Sequence, residues 1–279
     1  MNAIGSRWGV ALLAFAAAIS IGSLDSRAQY TQQQPGKNMP EEKGEKGDKG
    51  KGPQVNKAEE DAYKAMYDAR TGSPQTQIQL GEDFIAKFPQ SRYLSGVYSQ
   101  LTSAYYAVGN EDKLFAAGDK AIELNPDNVD ALSLLAMAIP RRVKASSPDA
   151  AQKLQKAETY GKHALEVIPT LPKPDTVDDA AFDKAKNEKL SMAHSGLGLI
   201  AIDHGKYEDA RTELNQAVQL ATNPDPVDYY LLANADSQTS YYNDAVAAYE
   251  KCAASGPLMA QCKARIDSAK KDATTKLGR

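Results

Sequence analysis

The stretch Ser191–Pro224 reads SMAHSGLGLIAIDHGKYEDARTELNQAVQLATNP. Its apolar residues recur at i, i+3, i+4 and i+7, which is the spacing of a helix with one buried face. Gly205 divides the stretch in two, and glycine is favoured where a helix ends in left-handed backbone. Small residues at Gly198, Ala210 and Ala217 would let two helices approach closely. The stretch therefore predicts a helix–turn–helix hairpin.

The same spacing recurs in two other stretches, which begin at Ser95 and Pro226. Counted from Pro226, the matching residues are Tyr229, Leu232, Ala233, Asp236, Ser240, Tyr242, Ala245, Tyr249, Cys252 and Pro257. Counted from Ser95, they are Tyr98, Leu101, Thr102, Tyr105, Gly109, Leu114, Gly118, Ala121 and Pro126. Self-similarity at a fixed period is typical of repeat architectures.

These segments resemble the tetratricopeptide repeat (TPR), a helix–turn–helix unit of about 34 residues. The Leu-Gly pair that ends at Gly198 and the Gly-x-Tyr turn at Gly205 are marks of that family. Two weaker units span residues 58–89 and 129–169, and the second contains an insertion at 140–148. The resemblance implies an all-α fold, a right-handed α-solenoid of about five TPR-like helical hairpins plus a C-terminal capping helix.

Two segments depart from the repeat. A helix that begins near Val177, with Thr176 as its N-cap, runs to Asp203 or His204, and its first half should project beyond the neighbouring repeats. Residues 258–276 form one more helix, which we assign as the cap that an open solenoid needs at its end.

The first residues are typical of an export signal. Arg7 precedes an apolar run at 10–21, and Ser26-Arg27-Ala28 places small residues at a cleavage site. We expect a signal peptide at 1–28, cut after Ala28, and therefore a periplasmic or secreted protein of the exported bacterial type with no stable membrane span after cleavage. An uncleaved anchor is the alternative, although the run is short for a span of about 20 residues.

Between the signal and the solenoid at 57–279 lies a Gln-, Gly- and Lys-rich leader at 29–56. It has almost nothing to bury, so it cannot offset the entropy of ordering and is predicted to be disordered. Its mild excess of lysine allows two interpretations, a soluble tether or an electrostatic contact with anionic envelope material.

The composition excludes several functional classes. The 33 basic and 36 acidic residues give a net charge of −3, which does not suit a general nucleic-acid binder. Three His and two Cys are too few for a multi-ligand transition-metal site, and we expect no cofactor. His163 and His194 lie at packing positions of helices. No catalytic motif is present, so the sequence predicts a protein that is not an enzyme.

The resemblance to TPR proteins implies that positions 2, 5, 9 and 12 of each first helix line a concave groove. The groove residues predicted here are Tyr106, Met192, Ser195, Leu199, Tyr230 and Asn234. Members that hold a peptide's terminal carboxylate use Lys and Asn at positions 5 and 9, and only Asn234 matches. We therefore expect a mixed apolar groove, or one filled by the protein's own long helix or tail.

The resemblance points to a non-catalytic exported scaffold that binds a peptide or protein segment. The alternative is a structural spacer or envelope assembly factor tethered through the basic leader. Cys252 and Cys262 lie five residues on either side of Pro257. Two antiparallel helices joined there would bring the cysteines level, which predicts a disulfide in an oxidising compartment. Two buried free thiols are the alternative.

Overall fold

The computed structural model describes residues 56–144, 146–276 and 278. The predicted signal peptide at 1–28 and all of the leader except Asn56 lie outside these residues. Within them the chain forms eleven α-helices and no strand. The helices are α1 (Lys57–Asp68), α2 (Pro74–Lys87), α3 (Leu94–Val108), α4 (Glu111–Leu124), α5 (Val129–Arg142), α6 (Ala150–Val167), α7 (Asp179–Asp203), α8 (Tyr207–Leu220), α9 (Pro226–Gln238), α10 (Tyr242–Cys252) and α11 (Met259–Thr275). Short 3₁₀ turns follow α1 (Ala69–Thr71) and α6 (Ile168–Thr170).

The helices pack as five consecutive hairpins and a final single helix. Hairpin 1 is α1 with α2, hairpin 2 is α3 with α4, hairpin 3 is α5 with α6, hairpin 4 is α7 with α8, and hairpin 5 is α9 with α10. The first helix of each hairpin from α3 onward also packs against the next first helix. This arrangement confirms the predicted all-α, TPR-like solenoid. None of the described helices combines the length and apolar character needed to cross a membrane.

The hairpin turns follow from the fifteenth residue of each unit, counted from Ser95, Ser191 or Pro226 as position 1. Gly109 follows the end of α3, and Gly205 lies in the turn after α7; their φ values are 71° and 70°. Such left-handed backbone is costly for residues with a Cβ. Ser240 occupies the same position in hairpin 5 with φ of 67°, the only positive φ at a non-glycine residue among those described. The turn geometry is therefore set by the repeat even where glycine is absent.

Close helix contacts depend on the absence of a side chain. A Cβ built on Gly198 would lie 2.6 Å from Cγ of Leu214, so α7 and α8 touch there. A Cβ on Gly196 would lie 2.1 Å from the carbonyl oxygen of Ala136, which brings the backbones of α5 and α7 into contact. The first contact is the one that the repeat predicts, and the second ties hairpins 3 and 4 together.

The long helix differs from its prediction at its start. The predicted N-cap at Thr176 is wrong, because α7 begins at Asp179 and the Asp178 side chain accepts a hydrogen bond from the Ala181 amide at 2.9 Å. Its first half does not stand free, since Phe182 is buried beside Val129 and Ile168. This half of α7 packs over the start of α5 and the end of α6.

The capping helix α11 packs against α10. Cys252 at the end of α10 and Cys262 in α11 are both buried, with Cα atoms 5.9 Å apart. This separation lies within the range that a disulfide requires. The predicted helix at 258–276 agrees with the observed α11 (Met259–Thr275) to within a residue at each end.

Candidate protein-binding groove

We define the groove face as positions 2, 5, 9 and 12 of the first helices α3, α5, α7 and α9. Of the predicted residues, Tyr106, Met192, Leu199, Tyr230 and Asn234 are half-buried. The sixth, Ser195, is only 1% exposed. No groove-face residue on these four helices is fully exposed. The face is therefore less open than the sequence predicts.

The groove face is closed at its centre. In α5 the residues at positions 5, 9 and 12 are Ser133, Met137 and Pro140, and all three are buried. All of the residues numbered 131–140 in α5 are buried. The neighbouring helices α3 and α7 both pack against α5. The long helix α7 thus flanks α5 on one side, and α3 flanks it on the other.

Beside this closed centre lies a partly buried ion cluster built on Arg141, at the end of α5. Its Nη1 donates to Asp225 Oδ2 at 2.6 Å, and its Nη2 donates to Asp228 Oδ1 at 2.6 Å and to Ser195 Oγ at 2.7 Å. The Ser195 hydroxyl donates to the same Asp228 oxygen at 2.7 Å. We call Arg141, Ser195, Asp225 and Asp228 the Arg141 cluster. It joins hairpins 3, 4 and 5.

The three charged members of the Arg141 cluster have structural reasons for their positions. Asp225 is the N-cap of α9, where its side chain also accepts from the Val227 amide. Asp228 lies in the first turn of α9, where a negative charge is favourable. Arg141 is in the last turn of α5, where a positive charge is favourable. Helix capping thus places both signs of charge at the helix ends that meet.

The charges in the cluster affect one another strongly. Burial alone would lower the pKa of Arg141, but Asp228 and Asp225 outweigh burial and raise it. Burial raises the pKa of Asp228, although Arg141 and the Ser195 hydroxyl oppose that effect. One guanidinium thus faces two carboxyl groups, which come from the same helix.

Sequence reasoning missed this cluster and placed Arg141 and Arg142 in an insertion at 140–148. The structure corrects the boundary, because Pro140, Arg141 and Arg142 form the last turn of α5 and the connecting loop begins at Val143. The second arginine lies over the ring of Tyr106, with 4.6 Å from its Cζ to the ring centroid. The ion pairs join residues 84 and 87 positions apart, which no local pattern indicates.

At the C-terminal end of the groove face the capping helix approaches Tyr230. Arg265 of α11 is a hydrogen-bond partner of the Tyr230 hydroxyl, and the Tyr230 ring meets Tyr249 edge-on at 6.1 Å. Leu199, Ile202 and Asn234 remain as half-exposed side chains on the adjoining helices α7 and α9.

A second buried carboxyl lies outside the groove face. Asp236 of α9 accepts from Arg211 Nε at 2.7 Å, and the same arginine donates to Asp244 at 2.8 Å. Burial raises the pKa of Asp236 to about 6, in spite of Arg211. This interaction joins hairpins 4 and 5 through α8, α9 and α10.

Two of the three histidines lie beside carboxyl groups. His194 Nδ1 lies 2.7 Å from Glu213 Oε2, and His163 Nε2 lies 2.8 Å from Asp127 Oδ1. In the part of the chain that the structure describes, no three His, Cys, Asp or Glu side chains are grouped as metal ligands.

No family model matches the chain, and no curated protein matches it. Similar solved structures include TTC0263, a thermophilic TPR protein from Thermus thermophilus, at 18% identity and a TM-score of 0.46, which covers 76% of this chain and 98% of that one. The assembly chaperone of RpL4 (Acl4) is 10% identical with a TM-score of 0.44, over 77% of this chain and 99% of that one. The TPR domain of P58(IPK) is 14% identical with a TM-score of 0.34, over 78% of this chain and 66% of that one.

Proposed function

We propose that this chain is a non-catalytic, exported scaffold that binds a peptide or protein segment on its groove face. The observation that carries the proposal is the strip formed by Leu199 and Ile202 of α7 and Asn234 of α9. These side chains are half-exposed on adjoining first helices, at the positions that face a ligand in TPR proteins. A mixed strip of this kind offers apolar contact and an amide to a bound backbone.

The surroundings of two carboxyls with raised pKa values, Asp228 and Asp236, support a non-catalytic role. Asp228 and Asp236 each pair with an arginine inside an interface between hairpins. A general acid or base needs to reach a substrate, whereas these groups are buried in packing. Burial raises both pKa values, and the arginine partners oppose that effect.

We also propose that Cys252 and Cys262 form a disulfide in the exported protein. The Cα separation of 5.9 Å and the burial of both side chains support it. Disulfides persist in oxidising compartments such as the periplasm, which agrees with the signal peptide proposed at 1–28. Mass spectrometry of unreduced exported protein after alkylation under denaturing conditions tests the bond, and two alkylated thiols would exclude it.

A structural spacer tethered through the leader at 29–56 is the second candidate. The buried centre of the groove face favours it, because Ser133, Met137 and Pro140 are inaccessible to a ligand. Such a spacer would bind anionic envelope material through its lysines and not through α7 and α9. Removal of the leader would then abolish binding.

The experiment selects peptides from a random displayed library on the folded protein and measures their affinity by calorimetry. We expect Leu199→Ala with Asn234→Ala to weaken binding by about tenfold or more, since interface anchors typically contribute over 1 kcal/mol each. Gln219→Ala is the matched control, because Gln219 is exposed on α8 of the same hairpin. Equal affinity of the parent, the double variant and the control for the selected peptides would show that the groove face does not bind them.

A further inference from the structure

A cavity opens between hairpins 2 and 3, on the side of their second helices. Its volume is about 230 Å³, and its lining comes from α4, from the end of α5 and from the start of α6. The lining residues all lie outside the groove face: Phe115, Asp119, Ile139, Asp149, Gln152, Lys153 and Lys156. The cavity is therefore separate from the strip on which the proposed function rests.

The buried part of the lining is apolar. Ile139 is 3% exposed and belongs to the core, and the half-buried Phe115 packs against the same core. An apolar cavity of about 150 Å³ holds benzene, whereas pockets for drug-sized ligands usually begin at about 300 Å³. The space therefore suits one aromatic or branched side chain and is too small for a large cofactor.

The exposed part of the lining carries four charges in two ion pairs. Lys156 Nζ lies 2.6 Å from Asp119 Oδ2, and Lys153 Nζ lies 2.8 Å from Asp149 Oδ2. These four side chains are between 40% and 49% exposed. Ion pairs at such exposure add little to stability, so their members can exchange partners at small cost. The four charges sum to zero, which favours a ligand without net charge.

We propose that this cavity binds a free α-amino acid with an aromatic or branched apolar side chain. A ligand with a single charge would pair with one member of an ion pair and leave the other member without a partner. An amino acid carries both charges on one carbon, so its carboxylate can meet Lys156 while its ammonium meets Asp119. The Tyr160 hydroxyl donates to Asp119 Oδ1 at 2.9 Å and holds that carboxylate in place. The ligand's side chain would lie on Phe115 and Ile139, where an aromatic ring gains from contact with a second ring.

The test is an NMR titration of the ¹⁵N-labelled full chain with L-phenylalanine. We expect the amide signals of Phe115, Asp119 and Gln152 to shift and to saturate with a Kd of about 1 mM or less, as suits so small a ligand. Two analogues, 3-phenylpropionate without the ammonium and 2-phenylethylamine without the carboxylate, should bind about tenfold more weakly or less well still. The absence of saturable shifts at about 10 mM phenylalanine, shifts at other residues alone, or equal binding of either analogue would overturn the proposal.

Lysine variants test the charged part of the cavity. Lys156→Gln and Lys153→Gln each remove one charge from an exposed side chain, and circular dichroism checks that both proteins are folded. We expect each to weaken phenylalanine binding by about tenfold, because charge-assisted hydrogen bonds are the strong ones. Lys162→Gln is the matched control, since Lys162 pairs with Glu158 at 2.7 Å on the same helix but does not line the cavity. Unchanged affinity in both lining variants, or an equal loss in the control, would overturn the assignment.

Discussion

Gly196→Ala tests the contact on which the association of hairpins 3 and 4 depends. The added methyl would lie 2.1 Å from the carbonyl oxygen of Ala136 and 2.5 Å from its carbon. Close carbon–oxygen contacts in proteins are normally about 3.3–3.6 Å, so α5 and α7 must separate by about 1 Å. The obstacle is backbone in the buried stretch 131–140 of α5, and it cannot move aside as a flexible side chain can.

The magnitude follows from two opposed effects. Overpacking costs about 1–3 kcal/mol, whereas alanine in place of glycine inside a helix gains about 1 kcal/mol. With a backbone clash at the upper end of the range, we expect a net loss of about 2 kcal/mol. For a domain of this size that corresponds to a fall in Tm of about 4–8 °C.

The assay is thermal and urea unfolding followed by circular dichroism. Gly205→Ala serves as the control, because no atom lies within 4 Å of its added Cβ and only the φ of 70° is unfavourable. We expect it to lose about 1 kcal/mol. A Tm for Gly196→Ala at or above that of the parent would refute the described contact between α5 and α7.

Three further predictions use other sites. Ser240→Gly should raise stability by about 0.5–1 kcal/mol, measured by urea unfolding, because Ser240 holds a φ of 67° that glycine adopts without strain; a loss of stability would contradict this. Because burial raises the pKa of Asp236 from 3.8 to about 6, the stabilisation by its carboxyl is complete below pH 3.8 and is lost as the pH rises through about 6. The free energy of unfolding of Asp236→Asn, relative to that of the parent, should therefore rise by roughly 2 kcal/mol between about pH 4 and 7. A difference in unfolding free energy that does not change with pH would show that the raised pKa is wrong. Cys252→Ser should lower the unfolding free energy by about 3 kcal/mol in oxidised protein, since the disulfide would close a loop of about eleven residues, and parent and variant should differ less under reducing conditions.

The hairpins could be predicted from sequence because their determinants are local. The glycines at 109 and 205 end helices through their own backbone preference, and small residues such as Gly198 mark close contacts within one hairpin. The prolines and apolar spacing of each unit repeat these rules. The start of α7 was misplaced because Thr176 and Asp178 are both good N-caps, and only the packing of Phe182 selects the second.

The candidate site depended on what the hairpins do to one another. The sequence predicted six groove residues from their positions, but position 5 holds the buried Ser195 and the centre of the face is closed over Met137. Whether a position is open depends on the angle between successive hairpins, which side-chain contacts between distant residues determine. The Tyr230 contact with Arg265 depends in the same way on how the capping helix docks.

Sequence by itself determined the repeating unit, the number of hairpins, the turn positions and the cap, because each of these arises from interactions within about 34 residues. Tertiary structure decided the closure of the groove face and the Arg141 cluster. Asp225 and Asp228 lie 84 and 87 residues from Arg141, and at such separations only the stacked geometry of three hairpins brings the charges together. Local periodicity specifies how a hairpin forms, whereas the packing of one hairpin on the next specifies which of its faces remains open.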